Sequence, residues 1–179
     1  MRDARGFTLV ELLIVLVILA ILMAISMANY RYARMQAGET AAIGAMVAIN
    51  QAQFTYMQTC GNQRFAPHLA TLGKPSPGSS TPFLSPDLAG GADDVVKSGY
   101  HIQMAGTEVQ DPVQTCTGDT PVTGYQVTSD PTMPGWSGRR FFGTNVDLVI
   151  YENNESFTGK MPESGPPDVG AEVRGRPGR

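Results

Sequence analysis

Apolar positions are spread very unevenly along this chain. From Leu12 to Ile25 every residue is apolar, and extending to Ala28 adds only Ser26 as a polar residue. No proline interrupts the stretch Phe7–Tyr30, and no glycine follows Gly6 within it. The pattern predicts one continuous helix that is hydrophobic all round. At about 1.5 Å per residue, Phe7–Ala28 is long enough to cross a hydrocarbon core of about 30 Å. Residues 31–58 remain helix-compatible, rich in Ala, Met and Gln and free of Pro. Ile43, Met46, Val47, Phe54 and Met57 fall near one face, with Glu39, Asn50, Gln51 and Gln58 as polar positions. This predicts an amphipathic stem whose apolar face packs on a head. Gly38 and Gly44 weaken the stem by about 1 kcal/mol each and mark flexible or closely packed points.

The pattern then changes period. Pro67, Pro75, Pro77, Pro82 and Pro86 punctuate residues 60–98, which read as a long connection with one short helical turn near Pro67–Leu72. Tyr100–Met104 alternates, with Tyr100, Ile102 and Met104 on one side and His101 on the other. Gly124–Thr128, Arg140–Gly143 and Asp147–Glu152 are three further strand candidates. Prolines and glycines between them predict a three- or four-stranded antiparallel meander with one face on the stem, an α+β arrangement. Residues 162–179 carry almost no large apolar side chain and are read as a disordered tail with a basic end at Arg174, Arg176 and Arg179. The expected organisation is residues 1–6 as leader, 7–30 as membrane helix, 31–58 as stem, 59–161 as globular head and 162–179 as tail.

Composition narrows the function classes. A net charge of −3 gives no electrostatic reason to expect nucleic-acid binding. Cys60 and Cys116 are too far apart for a zinc knuckle or a C-x-x-C motif. If the head lies outside the cytoplasm they read as a disulfide closing about 57 residues, worth about 4 kcal/mol; otherwise they are two free core thiols. His68 and His101 are isolated, and Asp93-Asp94 reads as a solvated acidic turn, too few oxygens for calcium. Asn154-Glu155-Ser156 matches a glycosylation sequon, and Trp136 reads as a turn anchor. No phosphate-binding loop, G-x-S-x-G or dinucleotide fingerprint is present, so the sequence offers no catalytic, cofactor-binding or metal residue.

One residue breaks the apolar run. Glu11 lies one turn after its start, and a carboxylate at mid-bilayer costs on the order of 3 kcal/mol. Either it sits at the headgroup level and is solvated, or a positive charge is created nearby. A cut after Gly6 would create one: the α-amino group of Phe7, about one turn from Glu11. In a bundle of staggered helices the amine of one subunit meets the Glu11 carboxylate of the next, where low dielectric makes pairing count most.

The string Gly6-Phe7-Thr8-Leu9-Val10-Glu11-Leu12-Leu13 resembles the prepilin signature of type IV pilins and type II secretion pseudopilins. The resemblance implies cleavage between Gly6 and Phe7 by a prepilin peptidase, N-methylation of Phe7, and a registry role for Glu11 during assembly. It implies a pilin-like fold, a long N-terminal helix on a small antiparallel sheet. It also implies that the subunit sits in the inner membrane, head in the periplasm, before joining a periplasmic or extracellular filament. Its partners would be copies of itself or other subunits, the peptidase-methylase, an inner-membrane platform protein, an assembly ATPase, an outer-membrane secretin and membrane lipid. Ala28 and Ala20 stand where many pilins have Pro and Gly. Arg2 and Arg5 before the run face Arg31 and Arg34 after it, so charge orients the helix only weakly. Three rival readings stay open. One is a secretory signal peptide cut before Asn29, since Ser26-Met27-Ala28 fits a small-x-small site. Another is a minor or tip pilin that binds DNA or surfaces. The third is an anchored enzyme with dispersed catalytic groups.

Overall fold

The structure is a computed structural model and describes residues 7–91, 93–109 and 114–173, the side chains of residues 26–28 excepted. The chain divides into two compact units, residues 1–34 and 35–179. One helix, α1 (Leu9–Thr59), contributes to both. Within the first unit every described side chain from Phe7 to Ile25 is exposed. Leu13 and Ile18 keep more than half their surface free, at 56% and 52%. A helix apolar on all sides has no single face to bury, so only lipid or other helices can cover it. It is the one helix among the described residues long and apolar enough to cross a membrane.

The second unit packs α1 residues 35–59 on an antiparallel sheet. Its strands are β1 (Asp94–Lys97), β2 (Tyr100–Ala105), β3 (Gln126–Pro131), β4 (Phe141–Asn145), β5 (Ile150–Asn153) and β6 (Ala171–Glu172), paired in chain order. Two short helices, α2 (Leu69–Leu72) and α3 (Pro86–Ala89), lie in the connection from α1 to β1. The core is built by Ala42, Met46, Ile49 and Tyr56 from α1, Tyr100, Ile102 and Met104 from β2, and Val127 and Phe142 from β3 and β4. Edge-to-face ring pairs join Tyr56 to Phe83 at 5.5 Å and Phe65 to Tyr125 at 5.1 Å. A second, smaller cluster of Tyr151, Phe157 and Met161 covers the other face of β4 and β5. The long apolar helix on an antiparallel sheet is the α+β, pilin-like arrangement expected.

The stem's buried stripe coincides only in part with the one its large apolar residues suggest: Met46 is buried and Ile43 packs on the core. Val47 and Phe54 are exposed, at 41% and 44%, while Ala42, Ala45, Ile49, Ala52 and Tyr56 are buried. Glu39, Asn50 and Gln53 lie in the same buried stripe. Small residues let the helix approach the sheet closely, and Gly38 shows how closely: a Cβ there would sit 2.5 Å from the Ser137 carbonyl oxygen. The buried amides are tied down. Asn50 Nδ2 donates to Thr144 Oγ1 at 2.9 Å, and Tyr125 donates to Asn50 Oδ1 at 3.0 Å. Gln53 exchanges two bonds with the Ala66 backbone, at 2.9 and 3.0 Å. Satisfied in this way, buried polar groups do not cost the fold their full desolvation penalty.

The sheet has six strands where three or four were expected. β1 was read as loop because its four residues follow an acidic, Gly-rich stretch, and β6 because two residues carry no periodicity. The last expected strand starts late, at Ile150, because Leu148 adopts a left-handed backbone (φ 63°) in the preceding turn. Residues 162–173 also depart from the expected disorder. Asn145 Nδ2 donates to the carbonyls of Pro162 and Gly165, Gly165 N donates to Asp147, and β6 pairs with β5. Backbone hydrogen bonding, which composition does not register, holds this segment. Residues 174–179 of the expected tail lie outside the described residues.

Candidate processing and assembly site

At the start of α1, Thr8 and Glu11 form a reciprocal cap. Thr8 N and Thr8 Oγ1 both donate to Glu11 Oε2, at 2.9 and 2.8 Å, and Glu11 N donates to Thr8 Oγ1 at 3.3 Å. This is the T-x-x-E capping box, in which the first and fourth residues satisfy each other's unpaired groups at a helix start. The helix N-terminus adds a favourable field for the carboxylate. The carboxylate inside the apolar run therefore has a partner of its own chain. Phe7, 83% exposed, precedes the cap, and Gly6 lies outside the described residues. The role of Thr8 was legible in the T-x-x-E spacing but was overshadowed by Glu11.

The head carries two further fastenings. Cys60, just past the end of α1, is bonded to Cys116, with Cα atoms 4.9 Å apart. Near the other end of the stem, Glu39 is 2% exposed and accepts from Arg139 N (2.9 Å), Arg140 N (3.3 Å) and Arg140 Nε (2.8 Å). Arg140 also donates to Glu152 at 2.6 Å and lies 5.3 Å from the centre of the Phe142 ring. Burial alone would raise the pKa of Glu39, but the Arg139 amide and the Arg140 guanidinium together hold it below the ordinary value. Nothing in the spacing of Glu39, Arg140 and Glu152 announces this triad, since it is assembled by tertiary contact.

His68 and His101, isolated in sequence, each reach one member of the acidic pair: His68 Nδ1 lies 2.7 Å from Asp93, and His101 pairs with Asp94. Among the described residues no group of three or more His, Cys, Asp or Glu is placed to hold a metal ion.

Residues 1–27 match the family model of the prokaryotic N-terminal methylation motif. The chain carries a prepilin-type N-terminus, as type IV pilins and pseudopilins do. No curated protein and no solved structure matches it. The motif contains the Thr8–Glu11 cap and most of the exposed apolar helix, and it points to a structural, pilin-like protein processed by prepilin peptidase rather than to an enzyme. An apolar N-terminal helix of this kind fits an inner-membrane-anchored subunit before assembly.

Proposed function

We propose that the chain is a structural subunit of a type IV pilus or a type II secretion pseudopilus, cut between Gly6 and Phe7, methylated on the Phe7 amine and polymerised through its N-terminal helix. The observation that carries this reading is a capped carboxylate, Glu11, at the start of an apolar helical stretch whose side chains from Phe7 to Ile25 are all exposed. In the free subunit Thr8 supplies both donors to Glu11 Oε2, which lets the acid enter the bilayer without a counter-charge. Neither Thr8 donation goes to Oε1, and a carboxylate accepts at both oxygens. Cleavage charges Phe7, and the ammonium of one subunit then binds the Glu11 carboxylate of the next. Both charges are desolvated, so a subunit one step out of register leaves a buried charge unpaired, which costs several kcal/mol. That penalty sets the axial stagger. The head remains in the periplasm until the apolar helices leave the bilayer and bundle. Peptidase-methylase, platform protein, assembly ATPase and secretin are the partners this scheme requires.

Intact mass and N-terminal sequencing of protein from its native membrane test the scheme. The expected chain begins at N-methylated Phe7. The variant Glu11→Val is expected to show the same mature mass with at least a tenfold loss of filament incorporation. A chain beginning at Asn29, or normal incorporation of the variant, overturns the reading.

A further inference from the structure

The sheet face turned away from the stem is only half covered. The Phe157–Met161 cluster lies on β4 and β5, whereas over β1 to β3 the described residues leave Val96 62% exposed. There Asp94, Gln103, Gln126 and Thr128 border a groove of about 250 Å³ whose far wall is Thr158 and Gly159. The strand register fixes this grouping, because Asp94 pairs with Gln103 and Gln103 with Thr128. Its polar lining is rich in acceptors. The side chains of Asp93 and Asp94 remain 42% and 55% exposed despite their histidines. On the same face of β3, Gln126 Oε1 and Asp130 Oδ1 are buried and find no hydrogen-bond donor among the described residues. Among the described residues, no lysine or arginine lines the groove. A complementary ligand brings positive charge and several N–H donors in a planar arrangement, which is the chemistry of a guanidinium group.

This chain contains such a ligand. Residues 174–179, Arg-Gly-Arg-Pro-Gly-Arg, follow β6 after a single residue, Val173. We infer that the open face over β1–β3 is the docking surface for the arginine-rich C-terminal segment of a second copy of this chain. The segment's own sheet is poorly placed to receive it. The groove runs from β3, three strand spacings and about 14 Å from β6, to Asp94 on β1, five spacings and about 24 Å away, beyond the reach of six extended residues, about 20 Å. Val173, moreover, packs on the stem-side core, which fixes the start of the segment at the β6 edge of the sheet. A neighbouring copy meets neither obstacle. The inference rests on the filament reading only for what brings that copy within reach.

The test uses the full-length chain in detergent with Arg174, Arg176 and Arg179 changed to Ser, so that its own tail does not compete. A fluorescent peptide of residues 171–179 is titrated against it by anisotropy at low and high salt. Expected are saturable binding, at least a tenfold loss with Asp94→Asn, a comparable loss with Gln103→Lys, and no binding of the peptide with its three arginines replaced by serine. Unchanged melting temperatures of the two variants show that their heads are folded. Absence of saturation at millimolar peptide, equal affinity for the groove variants, or equal affinity for the serine peptide overturns the inference. None of these readouts needs polymerisation, so they are independent of the incorporation assay that tests the filament reading.

Discussion

Glu39 holds a charge where solvent hardly reaches, and it does so because three N–H groups converge on it. The triad has a defined pH signature. A carboxyl whose folded-state pKa is depressed contributes stability above its unfolded value, and that contribution is lost as pH falls through the folded value. For Glu39 the loss therefore begins below the ordinary carboxylate range, near pH 4.5, and deepens on further acidification. Glu39→Gln is expected to destabilise the head by about 2 kcal/mol at neutral pH. That is less than the 3–5 kcal/mol typical of a broken buried pair, because Arg140 keeps about a third of its side chain in water. Thermal unfolding of both proteins from pH 7 to pH 3 checks this: the gap between their melting temperatures should narrow below pH 4.5. A constant gap would mean that Glu39 acts through packing alone. At this scale Glu11 stood out in the sequence as the one acid inside the apolar run, and the strand alternation of Tyr100, Ile102 and Met104 put all three in the core. Glu39 was read only as a polar position of the stem, because the partners that make its burial tolerable lie about a hundred residues away.

The stem helix shows why element-level patterning succeeded in kind and failed in detail. A long helix was readable from the absence of breakers, and α1 runs unbroken from Leu9 to Thr59. Which side of it meets the sheet was not, because alanines, a glycine and hydrogen-bonded amides share the contact with Met46, Ile49 and Tyr56, while Val47 and Phe54 stay exposed. The two stem glycines separate the effects of propensity and packing. Gly44 has nothing within 4 Å of where a Cβ would stand, so Gly44→Ala should stabilise by about 1 kcal/mol through helix propensity alone. At Gly38 the same change gains that propensity but drives a Cβ to 2.5 Å from the Ser137 carbonyl and 3.1 Å from that of Ser98. Both are backbone atoms that cannot swing aside, and overpacking costs about 1–3 kcal/mol. Gly38→Ala should be neutral or destabilising, by up to about 2 kcal/mol. Denaturant unfolding of the two variants decides it; equal stabilisation of both would show that the turn carrying Ser137 yields freely. The strands teach a similar lesson. Alternation identified β2 and β3, inside the sheet, whereas β1 and β6 at the edges are too short to show a period and exist by pairing.

For the whole molecule, the division after Arg34 separates a unit that needs an outside partner from one that closes on itself. The first has an apolar surface that only lipid or other helices can cover. The second has its own core, its own part-buried ion pair and a covalent link, and Cys60–Cys116 belongs entirely to it. The link joins the stem terminus to the segment before β3, and Cys116 N donates to the Cys60 carbonyl at 3.2 Å alongside the bond. Closing a loop of this length lowers the entropy of the unfolded chain by the equivalent of about 4 kcal/mol. For a unit of this size that corresponds to a fall of about 10 °C in melting temperature on removing the bond. Cys60→Ser with Cys116→Ser should therefore melt at markedly lower temperature in detergent. Yet it should extract from membranes like the parent, because insertion depends on the other unit. On the proposed scheme, filament incorporation at low temperature should survive, since the proposed Phe7–Glu11 pairing is untouched, and fail as the growth temperature approaches the lowered melting point. Loss of incorporation at every temperature, with the head still folded by circular dichroism, would instead place the bonded segment in a subunit contact.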